Sequence, residues 1–512
     1  MRSELLGFGA AGAGQIGLRS GTDDAHVAIP EHIVGTPCDA SGCAVVDVAT
    51  GERHTVFLAS DGKLWSVGGN EVGQLGRGNR SEGSFTIYPV QVCTSAKFIK
   101  VAAGRAHTCA VTEDGRLFAW GDNGSGQCGL PSSLQVVEAP KRVFAVNEVI
   151  QVACGPDHTI ILLESGRVFV FGVQYDGAAF HDPREVTELI GMPIVSVAAG
   201  GRHWAAVSVS GTVLVWGKND YGQLGTGDVQ FRPRPVVLSA LSDMKVVACS
   251  LGDTHSLFLT QDGRVFACGS DSFGQIGMGK RENVNNTPRV ILDLMGSHVT
   301  RIATGRIHSL VTVGGRLFSF GLNSSGQLGQ GNTRNQITPR IVDGLDSIRS
   351  LFAGYEQSFV LRAAGSDQIT SGPSVELKRP RVLWWTNERD LLQDKMELLG
   401  SIESAFTSLS SLNGSFLHKD DRRFACSSSN HGVELDDAMD FFNALAQSPD
   451  AKQYGDLMLE SLEMSLFADE IKSRKYLHPE CLRVFLLVPW LDAFVSPTPK
   501  IVQVRRLRYS VQ

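Results

Sequence analysis

Over the first two-thirds of the chain, apolar residues come in runs of about five that are rich in β-branched and aromatic side chains. "SLVTV" and "RLFSF" are examples, and glycine, aspartate or asparagine bounds the runs. This pattern predicts short strands, joined as hairpins by tight turns such as "EDGR" and "QDGR". From Asn387 the apolar period lengthens to about 3.6. Leu391, Lys395, Leu398, Ile402, Ala405 and Leu409 then fall on one helical stripe. Further helices are expected at 434–447 (Leu435, Met439, Phe442, Leu445), 455–471 (Leu459, Leu462, Leu466) and 479–488. Pro479 suits a helix start and Pro489 a stop. Between the two regimes, "SDQITSGPSVELKRP" is polar, holds Pro373 and Pro380, and reads as a linker. The expected organisation is a β domain over 1–370, a linker over 371–386, a helical domain over 387–491 and a tail over 492–512.

The β region repeats. Gly-x-x-His ends at His54, His107, His158, His203, His255 and His308, and a seventh copy, "GYEQ", carries Gln357 instead. The intervals are 53, 51, 45, 52, 53 and 49 residues. Each copy leads into an apolar run, a turn, and a second run closing on glycine, as in "LFAWG" (Leu117–Gly121). A Gly-Gln-x-Gly motif recurs at Gln15, Gln74, Gln127, Gln223, Gln275 and Gln327. One unit of about fifty residues supplies four strands, and such a sheet cannot bury both apolar faces alone. Radial stacking gives a β-propeller. The chain opens with "LLGFGAAGAGQIG", which matches "LFSFGLNSSGQLG" and is the second half of a repeat. "LFAGYEQSFVLR" is a first half without a second. Joined, they make a seventh blade in which Glu4–Gly9 pairs with 350–363, removing the free edges of an open ring. The unit between Gly172 and Gly191 lacks Gly-Gln-Leu-Gly and is shorter, so that blade is expected to be irregular.

The Gly-x-x-His, Leu-Phe-x-Trp-Gly and Gly-Gln-Leu-Gly landmarks resemble the regulator of chromosome condensation repeat over residues 1 to 370. The resemblance implies a seven-bladed propeller. The second half resembles another family. "LNGSFL" (Leu412–Leu417), "GVELDDA" (Gly432–Ala438), "LESLEMSLF" (Leu459–Phe467) and "PECLRVFLLVPWL" (Pro479–Leu491) occur in the order found in the small HERC-type ubiquitin ligases. In that family they follow a propeller of this kind, and a HECT domain with the catalytic cysteine ends the chain. This sequence stops at Gln512, so that ubiquitin-protein transferase domain is expected to be absent. The tail "SPTPKIVQVRRLRYSVQ" does not resemble the family's continuation, and its Arg505, Arg506 and Arg508 read as solvated. The expected fold is an all-β seven-bladed propeller followed by a smaller all-α helical domain.

Composition narrows the function. The net charge of -6 argues against a nucleic-acid binder that relies on a basic surface. The ten cysteines form no CxxC pair, and "CDASGC" is a weak approach to one. They read as reduced, mostly buried thiols of an intracellular protein. The N-terminus has no continuous apolar core, and no run approaches the roughly 18 residues of a membrane span. A cytoplasmic location is expected, with the nucleus open as a second one.

Six equivalent histidines invite a catalytic or metal reading. Residues recurring once per blade lie on a ring, too far apart to form one site. They are read as structural, tying a turn to a neighbouring strand, a role the Gln357 amide can also fill. The repeat glutamines and Trp65, Trp120 and Trp216 are read the same way. No catalytic, cofactor or metal group is expected. Neither Cys426 nor Cys481 has a setting like the HECT catalytic site. The founding member of the repeat family is the exchange factor for the small GTPase Ran, where acidic residues and a histidine of the Gly-x-x-His loops face the GTPase. Asp157 and Asp253 occupy matching places, while Arg53, Arg105, Arg202 and Arg306 make other loops basic. No interval leaves room for that factor's inserted wedge hairpin. Asp157, Arg202, Asp253 and Arg306 are the candidate partner-binding loop residues. The expected function is a non-catalytic scaffold that binds protein substrates or regulators in the ubiquitin pathway. Guanine-nucleotide exchange on a small GTPase is the alternative.

Overall fold

The computed structural model describes residues 3–18, 26–36, 43–92, 94–363, 414–417 and 433–446, with Ile402, Tyr454 and Met458. Seven four-stranded antiparallel sheets form a propeller. Six blades are continuous in sequence, spanning 45–91, 98–142, 149–185, 194–237, 246–290 and 299–341, and are numbered first to sixth. The first strand of each blade touches the first strand of the next around a complete cycle, so these strands are innermost. The second strands are the most deeply placed. All six residues of His54–Ala59, His107–Thr112, His158–Leu163 and His203–Ser208 are buried. Sequences such as "HTIILL" fit this, since a strand covered on both faces needs no polar face. Outermost strands such as Arg232–Val237 are half-exposed.

The seventh blade joins the two ends of the ring. Ser3–Ala10 lies between Gln357–Ala363 and His26–His32, with Ile348–Ala353 innermost. Its register runs from Ser3 opposite Ala363 to Gly9 opposite Gln357, as the split repeat predicts. Glu4 pairs with Arg362 at 2.6 Å. Phe57 of the first blade meets Phe359 edge-on at 6.0 Å, packing the junction. The third blade is less irregular than expected. It keeps a fourth strand, Ala179–Glu185, and its departure is confined to the turn at Gln174–Ala178.

Of the expected helices, one is described, over Leu435–Ala446. It starts within "GVELDDA" and packs on Phe416 of "LNGSFL". Leu417 bridges Val433, and the Phe416 carbonyl accepts the Glu434 N–H at 2.7 Å. The buried Phe416 ring sits 5.3 Å from Phe441 and 6.0 Å from Phe442. Ile402, Tyr454 and Met458 are buried. The remainder of the stripes at 391–409 and 455–471, the helix at 479–488, the linker and the tail lie outside the described residues.

Candidate protein-interaction face

The Gly-x-x-His loops meet at one end of the propeller and are bonded to one another. Backbone N–H groups of Glu52, Arg105 and Asp253 donate to the carbonyls of Arg105, Pro156 and Arg306 in the following blades, at 3.1, 2.9 and 2.9 Å. Beneath this rim the histidines are buried. In five joints His Nε2 lies 2.9–3.1 Å from the hydroxyl that follows the next blade's histidine, or Gln357 in the seventh blade: His54 to Thr108, His107 to Thr159, His203 to Ser256, His255 to Ser309, His308 to Ser358. Each hydroxyl in turn donates to the carbonyl of a Gly-Gln-x-Gly glutamine: Gln74, Gln127, Gln223, Gln275 and Gln327 respectively. A hydroxyl has one proton, and the carbonyl takes it. The imidazole must therefore donate from Nε2, which leaves Nδ1 bare. Burial depresses the pKa of all six histidines to about 3, so they are neutral at physiological pH. The leading glycine is required by close approach: a Cβ on Gly104 would collide with the His107 ring.

Each repeat glutamine folds its own turn. Its Oε1 accepts the N–H two residues earlier, at 2.7 Å for Gln15, 2.9 Å for Gln74 and Gln127, 3.0 Å for Gln223 and Gln275, and 2.8 Å for Gln327. Gln357 also ties its turn to the following blade, through partners other than those of the histidines. Its amide donates to the Glu52 carbonyl at 2.8 Å, and its oxygen meets Thr50 Oγ1 at 3.2 Å. Trp120 is buried and donates to the Gln74 carbonyl of the preceding blade, Trp216 stacks on Trp204, and Trp65 packs partly buried at the closing blade.

Above the histidines the rim carries mixed charge. Arg105 pairs with Asp157 at 2.7 Å and Arg306 with Asp253 at 2.9 Å. Burial lifts both carboxyls above the usual carboxylate range, although the guanidiniums pull them down. Arg202 is exposed, and its charge also reaches Asp157. The sequence reading missed Tyr355, whose half-buried phenol is pushed up by burial and by Asp253, Asp157 and Glu52. The Arg306 guanidinium lies 5.8 Å from its ring. The hydroxyls were missed too, although "HT" and "HS" follow the motif openly in the sequence.

The ligand atoms of His107, Cys109 and Cys154 lie within 4.8 Å of one another. They surround the Thr159 hydroxyl, which sits 3.0, 3.9 and 3.7 Å from His107 Nε2, Cys109 Sγ and Cys154 Sγ. That hydroxyl belongs to the blade joint and fills the place a metal would take. Burial also pushes the Cys128, Cys154, Cys249 and Cys268 thiols up, Cys249 to about 12. A thiol that seldom ionises is a poor nucleophile. Cys426 and Cys481 lie outside the described residues. Among the described residues no helix is long and apolar enough to cross a membrane.

Comparison with known proteins places these features. An RCC1-like domain match covers residues 4–360. The probable E3 ubiquitin-protein ligase HERC4 of Rattus norvegicus is 32% identical over 531 residues, covering 95% of this chain and 48% of the relative. The ultraviolet-B receptor UVR8 of Arabidopsis thaliana is 32% identical over 315 residues, covering 59% of this chain and 71% of the receptor. Prp20p of Saccharomyces cerevisiae, whose structure was reported with its binding to Gsp1p and histones, superposes with a TM-score of 0.64 at 22% identity, covering 72% of this chain and 93% of Prp20p. The chain spans about half the length of its HERC4 relative.

Proposed function

The chain belongs to the RCC1-like domain family, and from that premise we propose that it is a protein-recruiting unit of HERC type in the ubiquitin pathway, without a reaction of its own. The observation that carries this reading is the similarity to HERC4 over 95% of the chain. It runs past the propeller into the segment where Phe416 packs on helix Leu435–Ala446. Residues 387–491 are proposed to form the helical domain of that unit, and the cytoplasm to be its location. The rim of Asp157, Arg202, Asp253 and Arg306 is the proposed contact surface for protein partners. Its alternating charges favour a partner with its own mixed-charge patch and a salt-dependent association rate.

Two measurements test the reading. The purified chain, given ubiquitin with activating and conjugating enzymes, is expected to form no reductant-sensitive ubiquitin adduct; such an adduct overturns the non-catalytic assignment. Cross-linked partners identified by mass spectrometry should be lost in Arg202→Glu and Arg306→Glu. An unchanged partner set moves the contact surface elsewhere on the propeller.

The position of Asp157 and Asp253 on one end also favours a second reading, nucleotide exchange on a small GTPase. Both carboxylates are engaged by arginines, so this reading requires the pairs with Arg105 and Arg306 to open on binding. Accelerated release of labelled nucleotide from a Ran-type GTPase would support it over the first.

A further inference from the structure

Five turns of the propeller share one buried side chain, two residues after the glycine that closes the third strand. It is asparagine at Asn70, Asn123, Asn219 and Asn323, and aspartate at Asp271. In all five, Oδ1 accepts the N–H five residues on, at 2.9–3.1 Å. In the four asparagines, Nδ2 donates to a main-chain carbonyl of the turn: Asn79 at 2.8 Å, Leu134 at 2.7 Å, Asp228 at 2.9 Å and Asn332 at 2.8 Å. At Asp271 an oxygen stands where that nitrogen would be. The residue is fully buried, and Oδ2 has no hydrogen-bond partner. In the four asparagine turns this position carries a donor, and an ionised oxygen has no proton to give.

We propose that Asp271 is held as a neutral carboxylic acid that donates its proton to a carbonyl of its own turn, as the asparagine amides do, and that losing this proton loosens the joint between the fifth and sixth blades. The turn makes that joint: Gly279 N–H donates to the Ile337 carbonyl at 2.9 Å, and the Gln275 carbonyl accepts from Ser309 of the sixth blade.

The surrounding charges agree. Burial pushes the carboxyl up to about 7, and Glu282 adds to this, while the N–H groups of Ile276, Met278 and Gly277 pull it down. Glu282 is itself 3.9 Å from Arg289. Lys280 and Asp293 border the same cleft of about 460 Å³, to which the sixth blade contributes the uncharged Thr338. The folded-state value lies above the ordinary 3.8. The contribution to stability is therefore complete below about pH 4 and is lost as pH rises to about 7.

Hydrogen exchange of amides 272–285 in the whole chain, compared with Asp271→Asn from about pH 5 to pH 8 and corrected for intrinsic rates, tests this. The exchange rate of the natural protein relative to the variant should rise at least tenfold over that range. Glu282→Gln should move the rise to lower pH. Asp271→Ala, which also loses the Oδ1 acceptor, should exchange faster at every pH. A ratio that does not change with pH overturns the proposal. So does an Asp271→Asn protein that is less protected than the natural one throughout, or one that fails to fold.

Discussion

Five joints between blades are built alike, and two are not. In the regular joints a neutral histidine donates to a hydroxyl of the following blade, and that hydroxyl donates to a glutamine carbonyl of the histidine's own blade. The joint from the third blade to the fourth replaces the hydroxyl with Trp204. His158 meets that ring at 4.8 Å, and its Nε2 has no partner. The third blade has also lost its Gly-Gln-x-Gly turn. A hydroxyl at 204 would find no glutamine carbonyl, whereas an indole fills the space and stacks on Trp216. The joint from the seventh blade to the first keeps the hydroxyl, Thr55, and its carbonyl, Gln15, at 2.7 Å, but Gln357 bonds elsewhere. The hydroxyl and the glutamine carbonyl are thus the coupled pair: where the acceptor disappears the hydroxyl goes with it although His158 stays, and where the histidine is replaced the other two persist.

The largest effect should come from breaking the joint whose blade is assembled from both ends. Removing residues 1–18 deletes the strand paired from Ser3 to Gly9 and exposes Gln357–Ala363 as an open edge. Loss of the monomer in light scattering, with a broadened and lowered thermal transition, is expected. A monomer of unchanged melting temperature would show that closure does not hold the ring.

Next is the joint that replaced chemistry with packing. Trp204→Thr restores the residue type of the regular joints without restoring the glutamine carbonyl. It should cost about 3–5 kcal/mol in denaturant unfolding, the range for emptying a large buried side chain. If it proves neutral, the third and fourth blades can close up on a hydroxyl alone, and the hydroxyl does not depend on the glutamine carbonyl.

The regular joints are sharpened by His107→Gln, which places the seventh blade's residue in the second. A loss of about 1–3 kcal/mol at neutral pH is expected, since the Thr159 hydroxyl keeps its carbonyl but loses its donor. The pH dependence separates this from simple cavity formation. The His107 pKa is about 3 when folded, below its ordinary 6.5. The neutral form is favoured in the folded state, so stability is complete above about pH 6.5 and falls as pH drops toward 3. The variant should take up about one proton fewer on acid unfolding. An acid slope identical to that of the natural protein would mean that His107 is not the buried neutral group described.

How far could the sequence foresee these joints? The ring, its seven blades and its split closure were legible because each repeat is one supersecondary unit and the period survives substitution. The joint partners were present in the letters, as "GRAHT" and "GDTHS", but no spacing rule says which blade a hydroxyl will face. Gln357 illustrates this. Donor capacity showed that it could tie its turn to the next blade, but not that it would meet Thr50 and the Glu52 carbonyl there and not the Thr55 hydroxyl. Tyr355 escaped notice because its interest lies in four charged neighbours drawn from other blades. Asp271 was hidden among asparagines, since the two side chains have the same shape and differ in one atom, an oxygen in place of the amide nitrogen.

The smallest effect concerns the closing strand again, this time its ion pair. Glu4 and Arg362 meet at 2.6 Å across the seventh blade, each about a quarter exposed at 27% and 26%. Seven residue pairs already set this strand's register, from Ser3 to Gly9, and its Leu5, Leu6 and Phe8 are buried. A one-residue slip would send each of these side chains to the opposite face of the blade and undo its packing, which the ion pair is not needed to prevent. Glu4→Gln keeps the shape and removes the charge. Partial exposure screens the attraction, so the loss should be about 0.2–1 kcal/mol and should shrink further in high salt. A larger loss, of the order expected for Trp204→Thr, would mean that electrostatics rather than strand pairing and burial fastens the two ends of the chain.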